Sequence, residues 1–477
     1  MIRWPRHLLL TLAYLSTPAR SLAAQQTASP DATMNPGANA APPAATHADR
    51  RGRAYALLGA NLLVIQSAWS QAAADQSGLG QDATFYYYTG LERLLGAVLV
   101  LDGGTRRAAL FLPPPGLASP AERLLRDADE SYRTAAALGV DSVAPWSAFA
   151  AYVDARVAAR PGLTIHVDPG GVEAMLASRL GTPLDTMAAG ANPHLGWLRA
   201  LRRRWPAVAI VRDTSISPAL RSVKDAGELA VLRRVGASSV VAFRAGLARF
   251  APGRRQRDVE AAVVEVCTRL GDGPAFWPWA MAGPNAAFPT PFTSSLDSHS
   301  LDRVMQAGEV ARFDIGCRAD HYMGDVGRTV PVSGRFSPGQ AEVVDLLAAV
   351  YQAGVATLRD GAATAGLLRA SVAEAARRRG AMKTPLGRHA AALLTEPDSL
   401  PFWQWHGIGL DYAEPLPAVL RAGMVLDYEP IFVVDGQGFY MEDMVVVTRD
   451  GYQNLTPGLP NTAAEVERAM RQVRGAR

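Results

Sequence analysis

Apolar and polar positions repeat with two different periods along this chain, and the change of period divides it. Between residues 49 and 215, short apolar runs at 62–65, 97–101, 108–112 and 163–167 read as strands. Helical patterns over 51–58, 120–138 and 146–159 lie between them, the second opened by Ser119 and Pro120. This alternation predicts an α/β domain. It holds no glycine loop that could cradle a phosphate, and its aromatic cluster around Phe85 to Tyr88 reads as core. From a boundary at 213–218 the period becomes helical, over 223–236, 238–250 and 256–270. Ser337-Pro338 opens a helix to about Leu358, another is expected over 365–379, and a last one starts near Thr462.

Two strand–turn–strand patterns interrupt the helical half. The first is FDIGCRADHYMGDVGRTVPV, residues 313–332. With its turn centred between Ala319 and Asp320, Asp314 faces Asp325. In the second, Met424 to Glu429 runs into a turn at Asp435-Gly436, a strong hairpin signal, and Glu429 faces Glu442. Opposed acids inside apolar strands are destabilising. Two like charges about 4 Å apart cost roughly 4 kcal/mol at an effective dielectric near 20. Bound cations resolve that conflict, and two such pairs predict a two-metal site. His406, in WHGIGL between the hairpins, is a fifth candidate ligand, since its glycine neighbours allow close backbone approach.

The chain has 477 residues, enough for two domains, and a formal charge of only +4. Its basic residues are nearly all arginine, with Lys224 and Lys383 the only lysines. The arginine runs 202–204 and 377–379 each close a helical pattern, where cations suit the helix dipole. No nucleic-acid partner is expected. Cys267 and Cys317 make no spacing framework and read as two small apolar residues. The amino terminus places Arg3 and Arg6 before an apolar run and small residues at Ser21, Ala23 and Ala24, the layout of a cleaved secretory signal. Its apolar run is too short to span a membrane. The expected layout is a signal at 1–24, a flexible linker at 25–48, an α/β domain at 49–215 and a second domain at 216–477. A secreted or periplasmic protein without stable membrane insertion follows, and a homo-oligomer is expected.

The pieces FDIG, GDVGRTVPVSG, HGIGLD, MVLDYEP and MEDMVVVT together resemble the pita-bread metallopeptidases, which include methionine aminopeptidase, Xaa-Pro aminopeptidase and prolidase. The amino-terminal half, in FYYYTGLERLLGAVLVLDG and ALFLPPP, is similar to the first domain of Xaa-Pro aminopeptidase and prolidase. The resemblance implies an α+β pita-bread catalytic domain after the α/β one. It implies Asp314, Asp325, His406, Glu429 and Glu442 as ligands of two divalent ions, most suitably manganese, with cobalt or zinc as alternatives. Asp325 and Glu442 would bridge, Asp314 would bind one ion and His406 the other, while Glu429 would also carry the catalytic proton. The implied reaction is hydrolysis of an N-terminal Xaa-Pro peptide bond by a hydroxide bridging the ions. A dipeptidase and a metal-holding, non-catalytic peptide binder are the alternatives. Two positions depart from the family: Ala413 stands where a second histidine is usual, and Tyr440 where an arginine is. His299 and His321 are weak candidates for a further histidine. Trp277, Trp279, Trp403 and Trp405 flank the predicted site, as pocket wall or as core. The peptide-contacting residues are not legible.

Overall fold

Near-continuous apolar runs belong in strands covered on both faces, and the runs at 62–66 and 98–102 are buried at every position. The computed structural model describes residues 44–68, 81–92, 94–113, 135, 138–168, 193–287, 302–396 and 403–475. The expected signal, nearly all of the linker, most of the helix at 120–138, His299 and the Trp403 side chain lie outside the described residues. Residues 40–477 gather into one compact unit.

Helix α1 (Ala44–Leu58) begins inside the stretch expected as linker. Strand β1 (Leu62–Gln66) follows, then α2 (Ala83–Thr89), β2 (Val98–Asp102), β3 (Arg107–Leu112), β4 (Ser142–Pro145), α3 (Phe149–Ala159), β5 (Thr164–Val167), α4 (Pro193–Arg204) and β6 (Ala209–Arg212). The six strands form one mixed sheet in the order β4-β3-β2-β1-β5-β6. The aromatic run is the buried helix α2, capped by Asp82 and ended by Gly90 in the left-handed region, so it is core as expected.

Helix α5 (Ile216–Ser222) leads to α6 (Ala226–Leu247), opened by an Asp225–Glu228 capping box. The sequence pattern suggested two helices here, broken after Gly236. Instead α6 is continuous, and Gly236 serves close packing: a Cβ there would lie 2.2 Å from the Leu455 carbonyl oxygen. Helix α7 (Gln256–Leu270) comes next, then β7 (Gly273–Pro274), β8 (Trp279–Ala282), β9 (Val310–Ile315), β10 (Cys317–Ala319), β11 (Tyr322–Met323) and β12 (Val326–Pro331). Helices α8 (Pro338–Val355), α9 (Ala365–Arg379) and α10 (Pro385–Leu394) precede β13 (Trp403–Gly407), β14 (Val425–Val434), β15 (Gln437–Val447), β16 (Tyr452–Asn454) and α11 (Ala463–Gly475). The second large sheet runs β13-β14-β15-β12-β9-β8, with β16 beside β15; β11-β10-β7 make a small third sheet. Helix α8 packs on β14 and β15, and Ser337 caps it reciprocally with Gln340.

Two further expectations are corrected. The first hairpin turns one residue later than predicted, at Asp320-His321, where both residues have positive φ (48° and 69°). Asp314 therefore pairs with Gly327, not Asp325. A two-residue turn matched to strand twist needs positive φ at both central positions; here non-glycine residues adopt it, so no glycine marks the turn. The cysteines are not separate apolar residues. They form a disulfide, Cys267–Cys317, that ties the last turn of α7 to β10.

Candidate metal centre

Residues paired across strands, and residues two apart along one strand, share a sheet face. That rule assembles the site. In β13–β14, His406 pairs with Asp427. In β14–β15 the register Tyr428↔Asp443 and Ile431↔Tyr440 sets Glu429 opposite Glu442, and the turn at Asp435-Gly436 has positive φ at both residues. Glu442 pairs with Gly327, Gly327 with Asp314, and Asp314 with Trp279. Asp325, two residues before Gly327, lies diagonal to Asp314 on the same face, and their carboxyls come within hydrogen-bonding reach. The five residues predicted as ligands are thus brought together although the first hairpin's register was mispredicted. A shift of the turn by one residue moves a facing pair to a diagonal one without changing face.

Asp427 joins them and was missed. One oxygen each from Asp325, Asp427 and Glu442 and one His406 nitrogen lie within 4.8 Å of one another. Strand alternation held the signal: Asp427 is two residues before Glu429 in MVLDYEP. His406 Nε2 is 3.3 Å from Glu429 Oε1 and 4.0 Å from Asp325 Oδ2. The Tyr440 hydroxyl donates to Glu442 and lies 3.4 Å from Glu429 Oε2. Gly327 makes room for that phenol, since a Cβ there would sit 1.8 Å from the Tyr440 ring. On the opposite face, Arg328 grips the Asp443 carboxylate with one nitrogen at 2.9 and 2.8 Å, which locks β12 to β15.

Burial, and then neighbouring carboxylates, push the Asp325 and Glu442 carboxyls well above their usual range. Asp427 is pushed up chiefly by burial, against the pull of His406. Asp314 is raised to about 7 by burial and by Glu429. Burial lowers the His406 pKa, but the Glu429 contact outweighs it and carries it to about 9. Asp314 Oδ1, Asp325 Oδ1, Glu442 Oε1 and both Asp427 oxygens are buried without a hydrogen-bond partner. Such a set is costly unless positive charge fills the space between its members. Oxygen-rich donors with one imidazole suit divalent cations of the manganese type.

Supports reach the site from both sides. Gly407 and Glu414 form a bridge behind His406. The Glu414 carboxylate accepts from Arg221 at 2.7 Å and Lys224 at 2.6 Å, and these cations overcome its burial to hold it down at about 2. At the tip of the first hairpin, Tyr322 donates to Glu228 at 3.0 Å and accepts from Arg50 at 3.3 Å. His321 faces Glu92, at 2.9 Å, and the Tyr86 ring. Trp279 is buried beside Asp314 and stacks near Phe276, which in turn approaches Tyr412. Trp277 is 42% exposed. Trp405, adjacent to His406 in β13, belongs to the opposite face by strand alternation and packs against the core. Ala413 is buried in the loop after His406.

Metallopeptidase family M24 matches residues 230–449. Among relatives, Xaa-Pro aminopeptidase 2 of Streptomyces coelicolor is 32% identical over 292 residues, covering 55% of this chain. The Xaa-Pro aminopeptidase of Escherichia coli is 26% identical over 275 residues, 53% of this chain. The chain spans about 60% of the length of these curated relatives. Among solved structures, Pseudomonas aeruginosa aminopeptidase PepP superposes with a TM-score of 0.67 at 22% identity, covering 91% of this chain and 99% of that one. Proline aminopeptidase P II from Yersinia pestis gives 0.67 at 23% identity, with 90% and 99% covered. The acidic cluster on one sheet face thus lies within the residues that match metallopeptidase family M24, and the chain shares the fold of these solved structures.

Proposed function

We propose that this protein is a two-metal peptidase that hydrolyses the bond between an N-terminal residue and a following proline. The observation that carries the reading is the convergence of Asp314, Asp325, His406, Glu429 and Glu442 on one face of one sheet, with buried oxygens that lack any other partner. These residues would hold two divalent ions, manganese being best suited to the oxygen-rich set. Bound there, the ions supply Lewis acidity toward the scissile carbonyl and lower the pKa of the attacking water. Glu429 accepts the proton of that water and returns it to the departing proline nitrogen. The Tyr440 hydroxyl holds Glu442 in orientation and lies next to Glu429. Trp279, Phe276 and Tyr412 offer the proline ring an apolar wall next to Asp314.

The amino-terminal basic, apolar and small-residue pattern supports export, and a buried disulfide fits an oxidising compartment. A second reading, a metal-holding peptide binder, is favoured by Ala413 and Tyr440, which stand where the resembled family usually has a substrate-contacting histidine and an arginine. One assay separates the readings. The purified protein is stripped of metal, reloaded with manganese and offered Xaa-Pro dipeptides and tripeptides. Turnover of tripeptides is the expected result. Turnover of dipeptides alone would identify a dipeptidase, and tight peptide binding without turnover would identify the binder.

A further inference from the structure

The resemblance calls for four carboxylates and one imidazole, yet this chain places a fifth carboxylate among them. Asp427 sits in β14 directly opposite His406 and two residues before Glu429, so strand alternation fixes it on the site face. It is 0% exposed, and neither oxygen has a hydrogen-bond partner. A carboxylate buried without a donor stays ionised only if a cation fills the space it faces. The 4.8 Å limit on the separations among its oxygen, those of Asp325 and Glu442, and the His406 nitrogen closes onto one ion with ligand bonds of roughly 2.0–2.5 Å.

We propose that Asp427 is a direct ligand of the ion on the His406 side, alongside Asp325, Glu442 and His406. The assignment rests on the two-ion reading above. Five carboxylates, Asp314, Asp325, Asp427, Glu429 and Glu442, face positive charge from the two divalent ions and from Arg312, which is buried, two residues before Asp314 on the same face, and interacts electrostatically with Asp314, Tyr440 and Glu429.

The test compares wild type with Asp427→Asn and Asp427→Ser. Each is stripped with chelator, titrated with manganese by calorimetry, and melted with and without metal. Wild type is expected to bind two ions. Both variants should keep one ion at wild-type affinity and bind the other about tenfold or more weakly, the least that loss of a supporting group costs a metal site. Their metal-free forms should melt higher than wild type, because a buried repulsion is gone. Two ions at unchanged affinity in both variants would overturn the assignment. So would a metal-free form that melts lower with an unchanged metal-induced shift, the mark of a purely structural aspartate. A manganese-loaded wild-type crystal with both ions located gives a variant-free check. An Asp427 oxygen within bonding distance of the His406-side ion supports the assignment, and one turned away from it overturns it. A wild type that takes up no ion contradicts the two-metal reading itself, and this assignment with it.

Discussion

Replacing Cys267 and Cys317 together by alanine should destabilise the protein by an amount set by chain entropy. The bond closes a segment with a sequence separation of 50. For a loop of that length the unfolded chain loses about 14 cal/mol/K, or about 4 kcal/mol at 25 °C. The two removed sulfurs add a packing loss of about 1 kcal/mol, because both cysteines are fully buried. The position of the bond matters as much as its loop. Cys317 opens β10, three residues after Asp314 and eight before Asp325, and Cys267 anchors it to α7. Freeing β10 should therefore loosen the hairpin that carries both aspartates and weaken manganese binding as well as folding. Urea unfolding of the oxidised protein and the double variant gives the free-energy difference from midpoint and slope. Thiol titration of the unfolded, unreduced wild type should find no free thiol. Two free thiols, or a stability loss under about 1 kcal/mol with metal affinity unchanged, would refute the reasoning.

Tyr440→Phe removes the hydroxyl that donates to Glu442 and neighbours Glu429. Hydrogen bonds to charged groups are worth roughly 1.5–3 kcal/mol, so kcat should fall about 10–100-fold with two ions retained; an unaltered kcat would contradict the orienting role. Ala413→His restores a polar group seven residues after His406 and should raise turnover, by up to about the hundredfold that one oxyanion donor commands; an unchanged or lower rate would argue against that role for the position. Burial raises the Glu260 carboxyl from 4.5 to about 7, opposed by hydrogen bonds from Trp277 and the Ala280 backbone. The folded state thus holds this proton more tightly, and the associated stability is full below pH 4.5 and lost as pH rises through about 7. Glu260→Gln should flatten that loss between about pH 5 and 8 in thermal melts; parallel curves for the two proteins would show that Glu260 is not its source.

The second hairpin was legible because Asp-Gly announces its turn and the two-residue period carries the register across to Glu442. In the first, Asp320 and His321 take left-handed backbone that their side chains do not advertise, so the turn was placed one residue early. The conserved face rescued the site, since diagonal and facing acids both converge. Asp427 was equally readable by alternation but had no counterpart in the family's ligand set. The disulfide was not readable at all: its partners meet through the packing of α7 against β10, and a separation of 50 residues says nothing of that approach. The Glu414 cluster with Arg221 and Lys224 likewise joins residues about 190 apart. Charge pairing at such separation leaves no local pattern, whereas capping at Ser337 and Asp225 does.

The most direct test of the account is a count of ions per chain. Metal-free protein is dialysed against manganese at pH 7.5 and the bound metal measured by atomic emission, with a His406→Ala, Glu442→Gln variant as control. The account predicts two manganese ions per wild-type chain, a rise in melting temperature on loading, and loss of both effects in the control. A folded wild type that binds no manganese, or that binds as much as the control, would contradict the claim that these side chains form a metal centre.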